Sequence, residues 1–208
     1  MKFLKSQNAD IYQLQEVIPP RGKGNVDTKI FNKYFPDYTI IAHHELVTLS
    51  RLAVTDSEYR EPNDFQRVTV NLDGKGVDFY NVHMRIHLLP ELYRQPVEFL
   101  RETKERYNWR HEQFRQLLDG VKKSEKAYIS GDFNTSKTMG MMRPLQEVTK
   151  DSFSQSSDVF PVTWDMKGNS WWRIDYNLVK GIELLKHENV EQAEYSDHRA
   201  QRVFIDID

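Results

Sequence analysis

Five stretches of this chain run apolar and then stop at, or start from, a residue that can do chemistry. They are Leu14-Gln15-Glu16-Val17, Asn81-Val82-His83, Gly131-Asp132-Phe133-Asn134, Arg173-Ile174-Asp175-Tyr176 and Ser196-Asp197-His198. Each borders a segment that reads as a β-strand. Strands of one sheet bring their ends to a common level, so the pattern asks for a sheet whose ends line one polar cleft.

The rest of the chain supports a strand-rich fold. Gln66 to Leu72 alternates, with Val68, Val70 and Leu72 on one face; Asp73-Gly74 supplies a tight turn and Val77 to Met84 returns as its partner. Tyr38 to His43 and Leu46 to Leu49 are close enough for a second hairpin. Asp10 to Val17, Lys126 to Ser130, Arg173 to Val179, Glu183 to Val190 and Arg199 to Ile207 read as further strands. Lys2 to Gln7 predicts a short helix. Asp27 can cap another, with Ile30, Phe31 and Tyr34 inward. Leu92 to Val121 is one long helical region, interrupted near its start by Pro96, with an inner stripe of Val97, Leu100, Tyr107, His111, Phe114, Leu118 and Val121. Thr138 to Val148 reads as a helix flawed by Pro144. Pro19-Pro20 and Gly22-Lys23-Gly24-Asn25 open a loop. Strands outnumber helices and most neighbours look antiparallel. The expected architecture is a two-sheet α/β sandwich with helices outside, in a single domain over residues 1–208.

Composition narrows the chemistry. The chain has no cysteine, which excludes disulfides, zinc thiolates and cysteine nucleophiles. Its net charge of -2 argues against a nucleic-acid binder that works by global basic charge. Arg85, Arg94, Arg101, Lys104, Arg106 and Arg110 crowd one region, where a solvated helix face is the favoured reading. No stretch is apolar enough to span a membrane, and Met1 to Asn8 lacks the apolar core of a signal peptide. A cytoplasmic location is the expectation.

The strand-end residues make a coherent set. Glu16 and Asp197 are carboxylates suited to Mg2+ or Mn2+, which prefer oxygen ligands. Asp132 is suited to orient or deprotonate an attacking water, and Asn134 to hydrogen-bond a phosphoryl oxygen. Asp175 and His198 can pair, the carboxylate fixing the tautomer and stabilising an imidazolium. His83 can serve as a second phosphate contact or as the acid for a leaving group. Taken singly, each histidine reads as structural; His43, His44, His87, His111 and His187 keep that reading. Trp164, Trp171 and Trp172 precede Arg173 and could stack on a base or a headgroup at the cleft mouth; the favoured reading buries Trp164 and Trp172 and exposes Trp171 alone.

In order and spacing these segments, with Leu49-Ser50-Arg51, resemble the endonuclease/exonuclease/phosphatase superfamily, whose best-known member is pancreatic-type deoxyribonuclease. The resemblance implies a four-layer α/β/β/α sandwich and a Mg2+- or Mn2+-dependent hydrolase of phosphoesters, most readily a phosphodiesterase or nuclease. It implies Glu16 and Asp197 at the metal, His83 and His198 on the scissile phosphate, Asp132 and Asn134 at the water, and Asp175 supporting His198. The implied partner is a phosphodiester substrate, with nucleic acid one class. The superfamily also begins with a strand ending in asparagine. Here the sequence enters the helix before Asp10 directly, which implies an open sheet edge and self-association through it. Two rival readings are a phosphomonoesterase acting on a phospholipid or sugar phosphate, and a non-catalytic phosphate-binding remnant.

Overall fold

Alternating segments pair as the pattern requires. The computed structural model describes residues 1–17, 26–60, 65–166, 169–190 and 196–207. The Pro19-Pro20 and Gly22–Asn25 loop therefore lies outside the described residues. The strands are β1 (Ile11–Leu14), β2 (Thr39–His43), β3 (Leu46–Ser50), β4 (Ala53–Arg60), β5 (Phe65–Leu72), β6 (Lys75–His83) and β7 (Ala127–Asp132). They continue with β8 (Lys150–Asp151), β9 (Trp164–Met166), β10 (Asn169–Trp172), β11 (Asp175–Lys180), β12 (Glu183–Val190) and β13 (Ala200–Asp206). The helices are α1 (Lys2–Gln7), α2 (Lys29–Tyr34), α3 (Pro96–Lys123) and α4 (Arg143–Val148).

One sheet has six strands in the order β4-β5-β6-β7-β11-β8, antiparallel except for the parallel pair β6–β7. Facing it are a three-stranded piece, β1-β3-β2, and a two-stranded piece, β12-β13. Val68, Val70, Val77 and Phe79 from the first sheet pack with Ile11, Ile41, Leu184 and Ile205 from the second, which makes the sandwich core. On the outer face of the six-stranded sheet, Phe114, Leu117 and Val121 of α3 pack on Tyr80, Val82, Ile129 and Leu178. The α/β sandwich expected from the sequence is the architecture observed.

Polar bridges lock β1 to the central strands. Gln15 donates to the Asn81 side-chain oxygen at 2.6 Å, Asn81 donates to the Leu14 and Val47 carbonyls, and Ser130 donates to Gln13. Asn81 is fully buried, so each bond lost would leave a desolvated amide. Gly131 is required where β6 and β7 approach: its φ is +139°, and a Cβ there would lie 1.9 Å from the Val82 carbonyl oxygen.

Among the described residues, β1 pairs only with β3 and β13 only with β12. Both line a cavity of about 690 Å³ that runs from Leu72, Phe79 and Ile207 to Asp132, Asp175 and His198. Among the described residues, each of these two strands thus leaves one edge without a partner strand.

Four expectations need correction. The inner stripe of α3 holds only from Phe114 onward: Val97, Leu100 and Tyr107 are 82%, 67% and 53% exposed, and His111 is exposed as well. A 28-residue helix rises about 42 Å, far beyond a six-residue strand, so its first turns run past the sheet they would cover. Pro96 begins α3 instead of interrupting it, which suits a residue lacking a backbone N–H. Trp172 is 55% exposed and not in the core. The segment from Thr138 to Val148 is helical only over Arg143–Val148, with Pro144 in its first turn. Strand β4 had no signal, because Ala53–Arg60 carries Asp56, Ser57 and Glu58 in its middle.

Candidate active site

The register of three neighbouring strands builds the site. His83 on β6 lies opposite Asp132 on β7, and Asp132 lies opposite Asp175 on β11. Three residues far apart in sequence therefore stand side by side at one end of the sheet. The backbone seals this level: Met84 N–H donates to the Asp132 carbonyl and Phe133 N–H to the Ile174 carbonyl. Phe133 is fully buried against Phe114 and Tyr176, which anchors the turn after β7.

His198 reaches the same place from the other half of the sandwich. Its Nδ1 lies 3.1 and 3.0 Å from the two Asp175 oxygens. Ligand atoms of Asp132, Asp175 and His198 all fall within 4.8 Å of one another. The segment bearing His198 is held by Thr163: Arg199 N–H donates to the Thr163 carbonyl, while the Thr163 hydroxyl accepts from the Ile174 and Asp175 amides.

His83 has its own carboxylate, and this one was not legible in sequence. Glu45 Oε1 sits 2.7 Å from His83 Nδ1. Glu45 lies in the β2–β3 turn, His43-His44-Glu45-Leu46, where polar residues are ordinary turn composition; nothing marks it before folding. On the other ring nitrogen, His83 Nε2 is 3.5 Å from Glu16 Oε1 and 3.9 Å from Asp132 Oδ2.

Asn134 is placed to brace Asp132. Its backbone N–H donates to Asp132 Oδ1 at 2.7 Å, and its side-chain amide donates to Asp132 Oδ2 at 3.0 Å and to the Met84 carbonyl at 2.9 Å. Both amide hydrogens are thus engaged inside the turn, whereas the sequence suggested a phosphoryl contact. Asn134 and Glu16 both hold left-handed backbone, at φ 46° and 53°. That conformation is uncommon for a side chain with Cβ and gathers at functional sites.

The electrostatics are those of crowded acids around two imidazoles. Burial, with the nearby Asp175 charge, pushes the Asp132 carboxyl up to about 7, against the pull of the Asn134 N–H, His198 and His83. Burial opposes a charged His198, yet the Asp175 hydrogen bond and charge, with Asp132 and Asp197, lift it to about 9. His83 is also raised: burial works against its charge but Glu45, Asp132 and Glu16 outweigh it. The His83 hydrogen bond in turn lowers Glu45.

All seven residues singled out in sequence can now be placed. Glu16, Asp132, Asp175 and His198 line the cavity, and His83 adjoins Glu16 and Asp132. Asp197 accepts a hydrogen bond from the Trp164 indole at 3.1 Å. Among the described residues, the group whose ligand atoms converge is Asp132, Asp175 and His198; Glu16 and Asp197 lie outside that trio. The converging Asp132 and Asp175 carboxylates, in a cavity that Glu16 also lines, offer the oxygen ligands a hard divalent cation prefers.

The chain matches the family model described as the Endonuclease/Exonuclease/phosphatase family over residues 1–198. No curated protein matches it by sequence. Among solved structures it is similar to the 3' phosphatase NExo from Neisseria bound to a product DNA hairpin, at 16% identity and TM-score 0.73, covering 99% of this chain and 92% of that one. It is similar to a humanized D. rerio TDP2 at 15% identity and TM-score 0.73, covering 99% and 88%. An endonuclease/exonuclease/phosphatase family protein from Leptotrichia buccalis aligns at 14% identity and TM-score 0.70, covering 99% and 90%. At these identities the likeness is one of fold.

Proposed function

This chain belongs to the Endonuclease/Exonuclease/phosphatase family, a family of phosphoester hydrolases, and we propose that it is a divalent-cation-dependent phosphodiesterase with residues 1–208 acting as one catalytic domain. The observation that carries the reading is the aligned row of His83, Asp132 and Asp175, with His198 closing it and each histidine held by its own carboxylate.

The residues divide the work as follows. Asp132, braced on both oxygens by Asn134, takes a proton from the attacking water; a carboxyl near 7 is matched to that task at neutral pH. His198, kept protonated by Asp175, faces the charge that builds on the phosphoryl oxygens. His83, raised by Glu45, supplies a second positive charge or the proton for the leaving oxygen. Glu16 and Asp197 are the proposed metal ligands, and the converging trio of Asp132, Asp175 and His198 is the second candidate. Mg2+ or Mn2+ bound here supplies Lewis-acid polarisation of the phosphoryl group. The substrate is a phosphodiester, with nucleic acid the leading class because the Neisseria 3' phosphatase is described bound to a DNA hairpin. The open edges of β1 and β13 make self-association part of this reading.

Hydrolysis of bis-p-nitrophenyl phosphate and p-nitrophenyl phosphate, with Mg2+, Mn2+ or excess EDTA, tests it. Turnover of the diester that needs the cation and vanishes in a folded Asp132→Ala protein is expected. Preference for the monoester would favour the phosphomonoesterase. A folded wild-type chain that binds dication and turns nothing over would sink the enzyme reading.

A further inference from the structure

We propose that Arg110 is a positioning residue of this site: its buried guanidinium clamps the chain leaving β6 to the chain leaving β7. The proposal rests on the hydrolytic reading above. In sequence Arg110 belonged to a basic run read as a solvated helix face, but it is 1% exposed and among the largest fully buried side chains.

Its partners are backbone carbonyl and hydroxyl oxygens, not a carboxylate. Nη1 donates to the carbonyl of Arg85, two residues beyond His83. Nη2 donates to the carbonyls of Phe133 and Asn134, at 3.3 and 3.4 Å, and to the Thr135 hydroxyl. Thr135 completes the link by donating to the Phe133 carbonyl at 2.7 Å. One planar fork thus spans two chains, one leading from His83 and the other running on from Asp132. A lysine offers its three N–H donors from one compact ammonium and lacks the planar fork whose two nitrogens reach the two segments separately.

The placement carries a penalty that ordinary packing would avoid. A guanidinium out of water without a carboxylate partner is unfavourable, and burial lowers the Arg110 pKa to about 10, offset in part by the Asp132 charge. An apolar side chain would fill the same space under α3 more cheaply. What the guanidinium adds is a fixed distance between two strand-end segments. Small displacements of reacting groups are enough to slow chemistry markedly, so a clamp of this kind acts on turnover more than on substrate binding.

The test uses the full chain with bis-p-nitrophenyl phosphate and saturating Mg2+, comparing wild type with Arg110→Ala, Arg110→Lys, Arg110→Met and Thr135→Val. Expected for Ala and Met is a kcat loss of about 30-fold or more with KM within about threefold, and little recovery in Lys. Guanidinium chloride at low millimolar concentration should raise kcat of Arg110→Ala several-fold while leaving wild type and Arg110→Met unchanged; a residue that merely stabilises the fold would show no such rescue. Thr135→Val removes one anchor without opening a large void, and should lower kcat with a melting temperature near wild type. A folded Arg110→Met or Thr135→Val protein with wild-type kcat overturns the clamp. Wild-type protein that fails to turn over the diester overturns the hydrolytic reading instead, so the two failures are distinct.

Discussion

Asp175 presents both carboxylate oxygens to one nitrogen of His198, at 3.0 and 3.1 Å, across a sequence separation of 23 residues. The pairing makes stability depend on pH in a direction that can be worked out. His198 is raised from 6.5 to about 9 on folding. Its stabilising contribution is therefore fully present below about pH 6.5 and lost as pH rises through 9. Asp132, raised from 3.8 to about 7, changes in the same sense at lower pH. In EDTA the melting temperature should fall by several degrees between pH 6.5 and 9, from a His198 contribution on the order of 2 kcal/mol after allowing for partial solvent screening. His198→Asn should flatten that fall. A wild-type profile flat across the range would contradict the pairing.

Glu45 is expected to matter as much to His83 as Asp175 does to His198. The Glu45→Gln variant keeps a hydrogen-bonding side chain but removes the charge that helps raise His83. Its kcat should drop by about 10- to 100-fold, the usual scale for losing the partner that orients a working histidine. Because the His83 pKa falls in this variant, the alkaline limb of the pH–rate profile should move to lower pH. An unshifted limb with unchanged kcat would make Glu45 a bystander.

Those two carboxylates show where sequence reading succeeds and stops. Asp175 sits in a strand whose apolar neighbours Tyr176, Leu178 and Val179 fix its register, so its level beside Asp132 follows from pattern. Glu45 sits in a turn, where composition is polar whatever the function. Its approach to His83 depends on how the second sheet packs over the first. The same physics explains Arg110: a basic residue in a charged helix looks solvated until the turn after β7 is placed against it. The helix overhang at Val97 and Leu100 was invisible for a related reason, since periodicity reports an apolar face but not what covers it.

The two candidate cation sites can be separated by variants that spare the fold. Glu16 is 59% exposed at its side chain and held in left-handed backbone, which fits a ligand kept in place for function. Glu16→Gln should weaken Mn2+ binding by about 10- to 100-fold in calorimetry. Asp197→Asn should do likewise, whereas Asp175→Asn should act mainly on turnover. Binding that survives Glu16→Gln and disappears in Asp175→Asn would transfer the ion to the trio of Asp132, Asp175 and His198. An ion on the trio needs Asp132 ionised, and that carboxyl is raised to about 7, so for that site the rise in melting temperature on adding Mg2+ should be larger at pH 8 than at pH 6.

The open edge of β1 carries a prediction of its own. Arg51 N–H donates to the Asp10 carbonyl, and antiparallel partners alternate between bonded and non-bonded pairs. The bonds to β3 therefore fall on Tyr12 and Leu14, while the amides of Ile11 and Gln13 point toward the cavity shared with β13. Unpaired strand amides of this kind recruit another strand where one is at hand. Light scattering should show molar mass rising with protein concentration. Hydrogen exchange at Ile11 and Gln13 should be fast in dilute protein and slow as mass rises, with Tyr12 and Leu14 protected throughout. Constant mass together with concentration-independent exchange at Ile11 and Gln13 would show that these edges do not mediate self-association.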